Sequence, residues 1–236
     1  MKTAVVVGAN GDVGRGIVWA LRGAGYRVAA VGRSMAKLDA LRDDLNLPDL
    51  HLVEGSVAST TEAQRLAETL AKAGHRPSVI VISVNGQAQG LPLRELDGAY
   101  LDRVVRENVT PHLVAANTLI PLVAEGGTYI GIGGGMADNV FPGMAGISMA
   151  QAAQRVLYHY LAREPSFAAV NIRELILYSM IAGHGKAGIA ESHWITAEEV
   201  GRHLVAILLD PETFAGPILA LKSRKQVGLP ERAPDR

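Results

Sequence analysis

The chain contains no cysteine, which removes a disulfide framework and thiol catalysis and says little about compartment. It lacks an excess of either charge, with 23 Lys and Arg against 23 Asp and Glu. Without a cationic surplus to neutralise phosphates, nucleic acid is not an expected partner. No apolar run approaches the roughly 18 residues of a membrane span, and Met1-Lys2-Thr3 leads into only a few apolar residues before Gly8. The expectation is a soluble cytoplasmic protein. Internal repeats, low-complexity stretches and linkers are missing as well, so the 236 residues read as one domain over 1–236. The stretch 229–236, with its prolines and alternating charges, reads as a loose tail.

What the chain does have is alternation. Short β-branched runs predict strands at 4–7, 27–31, 51–54, 78–84, 128–132, 170–177 and 217–221. Several are apolar throughout, as strands covered on both faces are. Between them, apolar residues recur at intervals of three or four, as in Met35, Leu38, Leu41 and Leu45 or Ala63, Leu66, Ala67 and Leu70. That spacing marks helices with one buried face. Ser59 to Glu62 and Thr196 to Glu199 have capping-box spacing, and Gly74 is placed to stop the helix opened at Ser59. Strand and helix in alternation predict an α/β fold, a doubly wound parallel sheet of about seven strands with helices on both faces.

The first strand breaks into glycines in VVVGANGDVGRGI, residues 5–17. Gly8 closes the strand at a sharp turn, Gly11 lets backbone approach a ligand, and Gly14 lets the first helix pack tightly on the sheet. Free N–H groups and the positive end of the dipole at that helix N-terminus suit a pyrophosphate. The stretch therefore reads as a dinucleotide site, with Gly8, Asn10, Gly11, Asp12, Val13 and Gly14 as contacts. The charge of Asp12 would repel a pyrophosphate, and its plainer role is to cap the helix. After the second strand, where an acid would bond a ribose 2′-hydroxyl, the chain has Gly32, Arg33 and Ser34. Arginine pairs with a 2′-phosphate and Ser34 adds a donor, so NADP(H) is the expected cofactor. The bland alternative for Arg33 is a solvated charge opening a helix.

These features resemble the short-chain dehydrogenase/reductase family over nearly the whole chain: the glycine turn, VGRS after strand two, ENVTPHLVAANTLIPLVAEGGTYIGI, and the closing TAEEVGRHLVAIL and GPILAL. The resemblance implies a Rossmann-type fold and a nicotinamide cofactor. It puts Asn108 where the family has the Asn of its proton relay, although Asn108 equally suits a backbone-bonding residue at a helix kink ahead of Pro111. Ser56, followed by Val57, stands in for the family's acidic residue beside the adenine. Ser83, Val84 and Asn85, with Gly86, replace the Asn-Asn-Ala-Gly turn under the ribose, either keeping its backbone approach or forming a plain turn. Equivalent family helices pair about a twofold axis, so the helices within 95–123 imply a homodimer or homotetramer.

The active-site stretch departs from the family. Its Ser, Tyr and Lys positions fall on Gly134, Ile147 and Gln151, in a register held by Pro142-Gly143 before and Ala152-Ala153 after. No phenol then supplies the substrate proton, and no ammonium lowers a phenol pKa. Gln151 can keep the ribose contact, and Ser148 is a helix cap or a catalyst. Gly133, Gly134 and Gly135 are either backbone donors for a carbonyl or a flexible loop. Tyr158 and Tyr160, about three turns on, are expected to pack. Tyr178 and the glycines at 183, 185 and 188 suggest a substrate lid over 178–195, with His184, Lys186, His193 and Trp194 lining it or lying in solvent. No metal site is expected. Two functions fit this pattern. One is an NADP(H)-dependent oxidoreductase acting on a small carbonyl, imine or activated alkene by a non-standard proton route, with Asn108, Ser148 and Gln151 as candidate catalytic residues. The other is an NADP(H)-binding protein without hydride transfer, a redox sensor or a fold reused for a non-redox reaction.

Overall fold

In a computed structural model, residues 2–74, 76–86, 90–186 and 188–231 are described, apart from the side chain of Lys186. The chain runs β1 (Thr3–Val7), α1 (Asp12–Gly23), β2 (Arg27–Gly32), α2 (Met35–Asp44), β3 (His51–Glu54), α3 (Thr60–Lys72) and β4 (Val79–Ile82). It continues with α4 (Gly98–Asn108), α5 (Thr110–Leu119), β5 (Thr128–Gly134), α6 (Ala145–Leu161) and β6 (Asn171–Leu177). The last elements are β7 (Ile181–Ala182), β8 (Ile195–Thr196), α7 (Ala197–Leu209) and β9 (Ile218–Leu221). Seven strands form one parallel sheet in the order β3-β2-β1-β4-β5-β6-β9, and β7 pairs with β8 apart from it.

Each expected strand is present, because a strand covered on both faces alternates between two apolar layers instead of between core and water. Ala4 and Val6 join Ile17, Leu21, Leu38, Leu41 and Leu204, from α1, α2 and α7, on one face. Val5 and Val7 join Leu66, Leu70, Leu119 and Tyr158, from α3, α5 and α6, on the other. Helices α1 and α7 touch at backbone distance, since a side chain on Gly16 or Gly201 would overlap the opposing main chain. The strand order reverses between β1 and β4. A crevice therefore opens beyond their C-terminal ends, where open α/β sheets bind ligands.

Several expectations need correction. Asp12 does not cap α1: the N-cap is Gly11, and Asp12 already lies in the first turn. Ser148 is no cap either, being the fourth residue of α6, whose N-cap is Met144. Gly133 and Gly134 are not a loose loop but the end of β5, opposite Ile176 and Leu177. Tyr158 is fully buried, whereas Tyr160 is 74% exposed on the outer face of α6. Trp194 is buried and lies in the core, not on a lid surface. Of the expected tail, 232–236 lie outside the described residues, and Glu231 is held by Lys222 at 2.5 Å. Among the described residues no helix is long and apolar enough to cross a membrane.

Candidate cofactor groove and active-site layer

At the crevice lies a groove of about 720 Å³ lined by Gly8, Asn10, Gly11, Arg33, Ser34, Ser56, Val57, Ser83, Val84 and Asn85. The turn that opens it is set by sterics. Gly8 has φ +82°, and a side chain there would strike the Ser83 carbonyl, while one on Gly14 would strike Gly8 itself. Gly11 has room for a Cβ within the chain, so what its bareness preserves is backbone access from the groove. Asp12, Val13 and Gly14, also expected as contacts, are not among the lining residues. Lys37 and Arg106 line the groove and escape the sequence reading, together with Glu107. The clue to Lys37 was local. Ser34 caps α2 by accepting the Lys37 N–H at 3.5 Å, which places Lys37 in the helix turn that opens beside Arg33.

Asn108, at the end of α4, is buried. Its Oδ1 accepts the Gly86 N–H at 3.0 Å and its Nδ2 donates to the Val104 carbonyl at 2.9 Å. Both ends of the amide are thus spent on backbone, tying the helix break to the turn after β4. Nearby, His112 Nε2 lies 3.0 Å from the Val84 carbonyl and Nδ1 lies 3.0 Å from the Tyr158 hydroxyl. A carbonyl only accepts, so Nε2 carries the proton and Nδ1 accepts from the phenol. Burial pulls the imidazole down to about 4, leaving it neutral near pH 7.

Beneath the cleft, β5 is thinned to admit polar side chains. A Cβ on Gly131, Gly133 or Gly134 would collide with the Tyr158 hydroxyl, the Glu174 carboxyl or the Gln151 amide respectively. Gln151 Oε1 accepts the Met136 N–H at 2.8 Å, and the residue is outside the groove lining. Burial pushes Glu174 up to about 7, against the opposing pull of Arg155. Tyr178 covers Gly135 and donates to Asp138, which Arg155 holds at 2.7 Å. Desolvation and the Asp138 carboxylate push that phenol up to about 12. Asp138 itself sits below the usual carboxylate range because of its bond to Arg155. Tyr158 and Tyr178 are therefore both committed to partners, and neither is poised to ionise near neutrality.

In the segment between β7 and β8, His193 sits 3.4 Å from Glu191 in an exposed pair, and His184 is exposed. The Gly185 N–H donates to Asp12 Oδ1 at 2.8 Å.

Residues 8–229 match the family model described as enoyl-(acyl carrier protein) reductase. The chain is 28% identical over 130 residues to a very-long-chain 3-oxoacyl-CoA reductase of Scheffersomyces stipitis, covering 52% of this chain and only 37% of that protein. Among solved structures, it is similar to a short-chain type dehydrogenase/reductase from Mycobacterium ulcerans, with TM-score 0.81, 20% identity and coverage of 98% and 92% of the two chains. An alcohol dehydrogenase from Thermococcus sibiricus complexed with 5-hydroxy-NADP matches at TM-score 0.79 and 17% identity over the whole of both chains. At these identities the structural likeness shows the shared fold.

Proposed function

The chain belongs to the short-chain dehydrogenase/reductase family, and from that premise we propose that it is an NADP(H)-dependent oxidoreductase of a small carbonyl, imine or activated alkene, working without the family's phenol acid. The observation that carries the cofactor half is the groove end where Arg33, Ser34 and Lys37 stand together, while Glu107, the lining carboxylate among the described residues, lies beside Gly86 instead. A 2′-phosphate at that end meets two cations and a hydroxyl. Gly8, Gly11 and the first turn of α1 would hold the pyrophosphate, Ser56 and Val57 the adenine, and Ser83, Val84 and Asn85 the nicotinamide ribose. The Thermococcus sibiricus relative in complex with 5-hydroxy-NADP supports the same choice of nucleotide.

When bound, the nicotinamide supplies or accepts a hydride; the chain's own residues decide what accompanies it. Ile147 has no proton to give. Gln151 spends its oxygen on Met136, which leaves its amide N–H groups to donate beside Gly134, toward a ribose or substrate oxygen. A neutral amide orients such an oxygen without transferring a proton to it. The favoured substrates are therefore those that need little protonation: activated alkenes, iminium ions and quinones. Val105 on α4 and Leu113 on α5 are exposed apolar side chains, which supports assembly as a homodimer or homotetramer through the helices within 95–123.

Incubation with NADPH and a panel of carbonyl, imine and activated-alkene acceptors, followed by the absorbance of the reduced nicotinamide, tests the reading. Oxidation by the alkenes or iminium ions supports it. NADPH binding without turnover of any acceptor class favours the second reading, a nucleotide-binding protein without hydride transfer, to which the committed tyrosines and Ile147 also point.

A further inference from the structure

The Asp12 carboxylate is placed where an acid is costly for a dinucleotide site and is used for something specific. It stands in the first turn of α1, next to Gly11, which lines the groove. Its side chain leaves the turn toward the segment after β7. A Cβ on Gly183 would collide with Asp12 Cβ and Cγ, and one on Gly185 would come within 3.3 Å of Asp12 Oδ2. Two glycines of this segment are thus shaped to the acid, and the Gly185 N–H donates to its Oδ1 at 2.8 Å. The root of the segment is firm, since β7 pairs with β8 and Ile181 is packed in the core with Ile17 and Val200. The link joins positions 173 residues apart.

We propose that Asp12 is a positioning residue that latches residues 183–185 against the first turn of α1, beside the Gly11 edge of the groove, so that this segment slows release of a nucleotide held at that turn. The proposal rests on the dinucleotide reading of the groove. It also accounts for an acid where charge alone argues against one. With no phosphate present, a carboxylate in the first turn of α1 is favoured by the helix dipole and holds the segment in place. With a pyrophosphate present the same charge repels it, so the latch trades affinity for order.

Hydrogen bond and charge separate in two variants. Asp12→Asn keeps an oxygen that accepts the Gly185 N–H and drops the charge, whereas Asp12→Ala drops both. In ¹⁵N-labelled protein without nucleotide, the Gly185 amide should be protected from exchange in the parent and in Asp12→Asn, and exposed in Asp12→Ala. In calorimetric titration, Asp12→Asn should bind NADPH about fivefold more tightly, as expected for removing one charge several ångströms from a diphosphate at a partly solvated site. Asp12→Ala should bind more weakly than Asp12→Asn and release NADPH faster than the parent. Unchanged Gly185 exchange in Asp12→Ala overturns the latch. Equal tightening in both variants overturns the effect on release, since charge alone would then explain Asp12. A parent that binds neither NADPH nor NADH overturns the dinucleotide reading, and the nucleotide-free Gly185 measurement tells that failure apart from failure of the latch.

Discussion

Replacing Glu174 by Gln should change the pH dependence of stability in a way that is calculable from its surroundings. Glu174 sits on β6 opposite Gly131, 1% exposed, and its Oε2 has no hydrogen-bond partner among the described residues. Burial raises its titration from 4.5 to about 7. The folded-state pKa lies above the unfolded one, so the contribution to stability is fully present below about 4.5 and is lost as pH rises through about 7. Between pH 5 and pH 8 that loss comes to about 2.5 kcal/mol, at about 1.4 kcal/mol per unit over the part of the shift falling inside the window.

Gln is neutral throughout, so Glu174→Gln lacks this loss. Any fixed cost of burying its two amide hydrogens is the same at both pH values and cancels in the comparison. The buried imidazoles of His112 and His203, each pulled down to about 4, lower stability toward acid in both proteins and cancel too. Urea denaturation of parent and variant at pH 5 and pH 8 gives four free energies. The variant's advantage should be larger at pH 8 by about 2.5 kcal/mol, equivalent to roughly 5–10 °C in Tm for a chain of this size. Parallel losses in the two proteins between those pH values would falsify the burial argument.

Three further expectations are open to simpler measurements. Gly131→Ala should cost about 1–3 kcal/mol of stability, since its methyl group meets a Tyr158 hydroxyl that His112 holds in place; a denaturation midpoint equal to that of the parent would mean the layer beneath the cleft is looser than the structure shows. NADPH should bind at least about tenfold more tightly than NADH, or about 1.4 kcal/mol, and Arg33→Ala should erase most of the difference. Equal affinities in the parent, measured by calorimetry, would remove the 2′-phosphate assignment. Light scattering at micromolar concentration should give a mass at least twice the 24.9 kDa of the chain, and a monomer there refutes the helices within 95–123 as an interface.

The strands and the glycine turn were legible in the sequence because both are local consequences of sterics and burial. A run such as Val5–Val6–Val7 has one comfortable home in a covered sheet, and Gly8 and Gly14 stand where backbone contacts backbone. The Arg33 and Ser34 end of the groove followed from one turn of chain. What stayed hidden depends on partners distant in sequence. Asp12 looks like a helix cap until the segment around Gly185 is folded against it. The glycines of β5 look like a flexible loop until α6 and β6 bring Tyr158, Gln151 and Glu174 under them. Tyr160 reads as a packing residue because α6 carries apolar side chains on several sides, and the stripe it buries runs through Ala150, Gln154, Tyr158 and Leu161, which leaves Met149, Val156 and Tyr160 outside.

That layer under β5 also bears on whether the family chemistry can be restored, because the three positions proposed to depart from the family pattern, 134, 147 and 151, are not independent. The Gln151 amide occupies the space a side chain at Gly134 would need and anchors the Met136 N–H at 2.8 Å. Gly134→Ser alone should therefore destabilise the protein without adding activity. Ile147→Tyr with Gln151→Lys supplies a phenol and an ammonium four residues apart on α6, one helical turn, the spacing at which the cation can lower the phenol pKa. It leaves the carbonyl without a hydroxyl partner at residue 134 and frees the Met136 N–H. The double variant should show at most a modest gain in reduction of simple ketones by NADPH, well short of the roughly 10²–10⁴-fold a positioned acid contributes. Its pH profile should acquire an ionisation that the parent lacks. Fast turnover of simple ketones by the parent, abolished by Tyr178→Phe, would sink this account. Tyr178, despite its bond to Asp138, would then be the acid, and the register that places Ile147 at the family's tyrosine would be wrong.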